Sequence, residues 1–75
     1  MPSQKEQLEQ AREHVRTAQT RIEAQTALID RLRSDGHDTG AAERLLATFL
    51  DLLTRLTLHR DQVEREAEYR AQNSN

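Results

Sequence analysis

Cysteine and tryptophan are missing from this chain, and proline, methionine, phenylalanine and tyrosine each occur once. Without cysteine there is no disulfide framework, no thiol nucleophile and no thiolate metal site. The lone proline is Pro2, so nothing after it interrupts a helix by removing a backbone donor. Both glycines, Gly36 and Gly40, fall in one short stretch, which concentrates the permissive backbone of the chain in a single place. No apolar run approaches the ~20 residues that span a bilayer. The opening Met1-Pro2-Ser3-Gln4-Lys5-Glu6 has no apolar signal region. A soluble, cytoplasmic protein is the expectation. A dominant charge is lacking too: 11 Lys and Arg against 13 Asp and Glu leave a net charge of −2, which disfavours general affinity for nucleic acid or anionic membrane.

What is present is charge and helix periodicity. In 75 residues there is room for one small domain, and 32% charged with 35% hydrophobic side chains suits long, solvated helices better than a globular core. Ser3 and Glu6 have the spacing of a capping box at a helix start. From there apolar residues step by alternating threes and fours. Leu8, Val15, Ile22 and Ile29 form one heptad row, and Ala11, Ala18, Gln25 and Leu32 form the other. Gln25 is the one polar member of this seam, and a register-setting side chain with a hydrogen-bond partner is the expected role.

The stretch Ser34-Asp35-Gly36-His37-Asp38-Thr39-Gly40 ends that pattern. Gly36 is expected just past the first helix in the left-handed conformation, with Arg31 and Arg33 complementing the carbonyl end of the helix dipole. Thr39 is the expected N-cap of the next helix, with Asp38 close behind. The second arm carries Leu45, Leu46, Phe49, Leu52, Leu53, Leu56 and Val63 within one face, a stripe wider than 100° near the turn. Asp51 with Arg55, Asp61 with Arg65 and Glu66 with Arg70 have the spacing of acid-first i,i+4 pairs.

A short connection between two long amphipathic helices forces them antiparallel and side by side. The expected fold is therefore all-α: an antiparallel, coiled-coil-like two-helix hairpin forming one domain over residues 1–75. Helix 1 covers about 4–34, the turn 35–39 and helix 2 about 40–71, with a frayed tail at 72–75. Folded together, facing residues add to about 74, so Gln25 comes near Phe49 and Ala11 meets Val63. One hairpin leaves part of the broad leucine stripe wet, so a homodimeric four-helix bundle is expected. Its core and interface are Ile22, Gln25, Ile29, Leu45, Leu46, Phe49, Leu52, Leu53 and Leu56. Leu58, with Leu50 and Thr57, falls outside this stripe and is a candidate for docking an unidentified protein partner.

Little chemistry is encoded. There is no nucleophile motif, glycine-rich phosphate loop or metal-ligand spacing, so an enzyme is not expected and no cofactor is implied. His14 and His59 face each other in the folded register and are weak metal candidates, with Glu13 and Asp61 as neighbouring carboxylates. Arg12, Arg16, Arg60 and Arg65 cluster far from the turn, but glutamates are interleaved with them. The architecture resembles that of the Rop RNA-binding protein, a dimeric helical hairpin with layered small and large core residues. That likeness implies an RNA-binding alternative.

The run Arg21-Ile22, Gln25, Leu28-Ile29, Gly36-His37-Asp38-Thr39, Ala42-Glu43-Arg44-Leu45-Leu46 and His59-Arg60-Asp61 is similar to short bacterial helical-hairpin proteins of unknown function. The resemblance covers roughly residues 15–61 and implies a bacterial, cytoplasmic origin, with no activity and no site residues to carry over. A small self-association or adaptor module is the functional expectation, ahead of RNA binding and of metal binding through His14 and His59.

Overall fold

The computed structural model describes residues 3–73, an all-helical hairpin of α1 (Gln4–Ser34) and α2 (Gly40–Asn73) packed against each other. Ser3 is in the extended conformation that starts a helix, and its hydroxyl accepts the Glu6 backbone N–H at 3.1 Å. The reciprocal bond of a capping box, from the Ser3 N–H to the Glu6 carboxylate, is not seen among the described residues.

The turn is built from successive backbone bonds. The Gly36 N–H donates to the Arg33 carbonyl at 3.1 Å and the His37 N–H to the Leu32 carbonyl at 2.9 Å, the paired bonds of a Schellman motif. Gly36 has φ +75°, the one positive φ among the described residues. Asp38 then turns its carboxylate onto the Gly40 N–H at 2.9 Å, while the Thr39 carbonyl accepts the first helical bond from Glu43 at 2.8 Å. Thr39 thus holds the N-cap position by its backbone, but its hydroxyl caps nothing. A charged carboxylate one residue earlier is the better acceptor at the positive end of a helix, and Asp38 takes the donor.

The far end of α2 also differs from expectation. Gln72 and Asn73, expected in the tail, are helical, and the Asn73 side-chain amide donates to the Tyr69 carbonyl at 2.9 Å, satisfying an end group of the last turn. The rest of the expected frayed tail, Ser74 and Asn75, lies outside the described residues.

Three of the side-chain contacts across the hairpin agree in register, whereas Gln25, expected near Phe49, reaches toward the turn to the Ala42 carbonyl, a pair adding to 67. Arg12 meets Glu64 and Arg33 meets Glu43, both pairs adding to 76, while Arg70 reaches Gln4, adding to 74. Between the helices Ala11, Val15, Ala18, Ile29 and Val63 are buried. Alanine in alternate layers lets the two backbones approach. The core is lopsided: α1 supplies Ala11, Val15, Ala18, Gln25 and Ile29, whereas α2 supplies Val63 alone. Most of the narrow stripe of α1 is covered by α2, with Leu8, Ile22 and Leu32 half-buried, but the wider stripe of α2 extends past what one partner helix can cover. Gln25 is only 8% exposed, and its amide donates to the Ala42 carbonyl in the first turn of α2 at 2.9 Å. No buried side-chain polar atom among the described residues is left without a partner.

The result is a plank of 63 × 19 × 15 Å, a single layer of two helices. Its radius of gyration is 17.3 Å, against about 11 Å for a compact domain of this length. A Cβ added at Gly36 would meet nothing within 4 Å, so any penalty there is purely backbone conformation. Gly36→Ala is therefore expected to destabilise the hairpin by about 1–2 kcal/mol, measured by urea denaturation. An unchanged midpoint would contradict the role assigned to the turn.

Candidate functional site

A pair of helices lying side by side has two broad faces, and here they are unlike. A step of seven residues returns to the same side of a helix with about 20° of drift, so Arg12, Gln19, Thr26 and Arg33 share one edge of α1. Glu43, Leu50, Thr57 and Glu64 share the facing edge of α2. This face is bridged toward both ends by ion pairs: Arg12 Nε to Glu64 Oε1 at 3.2 Å, and Arg33 Nη2 to Glu43 Oε1 at 2.8 Å. Side chains of both pairs are between a third and two thirds exposed.

The opposite face brings the α1 row Gln7, His14, Arg21 and Leu28 beside the α2 row Leu45, Leu52, His59 and Glu66. A shallow groove of about 250 Å³ opens here between His14, Thr17, Ala18 and Arg21 on α1 and Phe49, Leu52 and Leu56 on α2. Toward the chain termini the groove continues between Gln10, His14, His59 and Val63. Near the turn the face is apolar: Leu45 is 45% exposed and Leu52 is 40% exposed, with Leu28 also exposed. Beyond Leu56 it becomes polar.

The residues singled out from sequence fall into three environments. Gln25 and Ile29 are buried between the helices, and Ile22, Leu46, Phe49, Leu53 and Leu56 are half-buried. Leu45 and Leu52, expected in the core or the dimer interface, are exposed on the apolar face of the single hairpin, because they lie one step outside the seam that α1 covers. Leu50 and Leu58, the docking candidates, are both exposed. Leu50 belongs to the ion-paired face; Leu58, at 64% exposure, projects about 80° away from it around α2, on the solvent side. Thr57, expected to join them, is half-buried.

His14 and His59 line the same stretch of groove. The carboxylates expected to assist them are otherwise engaged, Glu13 by Arg16 at 2.7 Å and Asp61 by Arg60 at 3.0 Å. Among the described residues no group of three or more His, Cys, Asp or Glu is placed to hold a metal ion. Of the i,i+4 ion pairs, Asp51–Arg55 is formed at 3.1 Å, but Asp61–Arg65 and Glu66–Arg70 are not. Asp61 is taken by the adjacent, partly buried Arg60, and Arg70 reaches across to the Gln4 side-chain oxygen at 3.4 Å. The cross-helix pairs Arg12–Glu64 and Arg33–Glu43 were missed by sequence reasoning. The signal was there: each pair of numbers lies within two of the expected register.

No helix among the described residues is long and apolar enough to cross a membrane. Comparison with known proteins returns no matching protein family, no matching curated protein and no matching solved structure.

The two ion pairs orient the polar face and add little stability, since both are solvent-screened. A double-mutant cycle on Arg12 and Glu64 is expected to give a coupling of at most about 1 kcal/mol, falling further in 0.5 M salt. A coupling above about 3 kcal/mol would mean that this face is covered rather than open.

Proposed function

We propose that the chain is a non-enzymatic self-association module, two hairpins forming a homodimeric four-helix bundle that serves as a small scaffold or adaptor. The observation that carries this reading is the surface a single copy leaves uncovered. The accessible surface is 5870 Å², whereas a folded monomer of 8.7 kDa exposes about 4,700 Å². The excess of about 1,100 Å² per copy exceeds the ~800 Å² that each partner contributes to an interface of standard size. Part of that surplus is leucine, at Leu28, Leu45 and Leu52.

The arginines favour this reading over RNA binding. Arg12, Arg16, Arg33, Arg55 and Arg60 each lie against a carboxylate, so the field they present to a phosphate backbone is locally offset.

Sedimentation equilibrium at micromolar concentration tests the proposal. A mass twice the 8.7 kDa of the chain is expected. A single-chain mass with full helicity retained would contradict it.

A further inference from the structure

We infer that the second copy is seated on the apolar face, the Leu28–Leu45–Leu52 side of each hairpin against the same side of the other, with the ion-paired face turned outward. This rests on the self-association reading and says which of two available faces makes the contact. The two faces differ in what burial would do to them. Covering the ion-paired face would strip water from Arg12, Glu64, Arg33 and Glu43, and such desolvation is repaid only in part by the pairs themselves. Covering the apolar face removes Leu45 and Leu52 from water and completes the burial of Phe49 and Leu56, which already border the same groove.

The shape of the apolar face suits a like partner. Domains need at least two packed layers to enclose a core, and this hairpin, 15 Å in its thinnest dimension, supplies one. A second identical plank supplies the other and, by two-fold symmetry, brings the same apolar half with it. The margin of the face is mixed: Thr17 and Ala24 on α1 share their row with Arg31, and Ala41 and Thr48 on α2 share theirs with Arg55. Where the small side chains meet, facing helices can approach to the usual 8–10 Å. Arg21 is the one charged residue lining the groove, and its aliphatic stem can lie along the apolar surface while the guanidinium remains at the wet edge. The polar stretch around His14 and His59 sets the far limit of close contact, so the overlap centres near Phe49 and Leu52.

The test uses the full chain with paired substitutions on each face. Leu45→Glu with Leu52→Glu places two carboxylates in the inferred contact, and Leu50→Glu with Leu58→Glu places the same charge outside it. The first pair is expected to weaken dimerisation by at least ~100-fold in sedimentation with helicity kept, and the second to leave it within ~3-fold. Because the chain has no cysteine, single thiols give a second readout that does not depend on how well the glutamate variants fold. In the dimer, Thr17→Cys in the groove is expected to label at least ~10-fold more slowly than Thr26→Cys on the ion-paired face, and the gap is expected to close on dilution. Dimerisation lost with Leu50→Glu and Leu58→Glu, or protection at Thr26→Cys rather than at Thr17→Cys, would overturn the choice of face while leaving self-association standing. A dimer that tolerates the Leu45 and Leu52 glutamates would do the same. A monomeric unsubstituted chain would remove the self-association reading itself.

Discussion

One helix can cover only so much of another. Where α1 lies against α2, its narrow stripe of small and branched residues is buried, yet the leucine-rich stripe opposite is wider than a single neighbour reaches. The consequences run through the molecule. Five of the six buried residues belong to α1, although α2 is the more apolar helix, and three of the leucines left exposed, Leu28, Leu45 and Leu52, lie together on one side of the hairpin, while Leu50 and Leu58 lie elsewhere on α2. A third helix could restore the balance, but the chain supplies only two within its described residues. The proposed second copy would bury what α2 leaves exposed.

Leu28, Leu45 and Leu52 come together because the two helices are held in place along each other. The turn sets the starting point, with Gly36 in the left-handed conformation, its flanking N–H groups on the Leu32 and Arg33 carbonyls, and the Asp38 carboxylate on the first N–H of α2. Gln25 repeats the constraint deeper in, since a buried amide without the Ala42 carbonyl would be an unsatisfied polar group in an apolar seam. Farther out, the Arg12–Glu64 pair and the Arg70–Gln4 bond tie the helices together with numbers adding to 76 and 74. A slip of even one residue would rotate leucines from the apolar side toward the charged side, so a fixed register gives this smooth hairpin two distinct faces.

Much of this was legible in the residues. A seam of threes and fours running to Ser34, a glycine-bearing stretch and a second apolar stripe describe two packed helices, because periodicity and turn chemistry are local properties. The details that escaped depend on which of several acceptors or donors prevails. Asp38 displaced the Thr39 hydroxyl at the start of α2, and Asp61 went to Arg60 instead of Arg65. The Asn73 amide extended α2 beyond the expected end. Each is a choice among side chains within reach, decided by rotamer and burial that a pattern does not specify. The unlike character of the two faces was harder to see still. It depends on residues of both helices at once, and the positions that define it, Arg12 with Glu64 and Leu28 beside Leu45, are far apart in the chain.

The central claim is that folding and self-association are one event, because a single hairpin lacks the second layer that would enclose its leucines. Thermal unfolding followed by circular dichroism over a wide range of chain concentration addresses it most directly. If two copies fold together, the midpoint rises steadily as concentration increases a thousandfold, following mass action. A midpoint that stays constant over that range, with a single cooperative transition, would show that one hairpin is stable alone and would contradict the account.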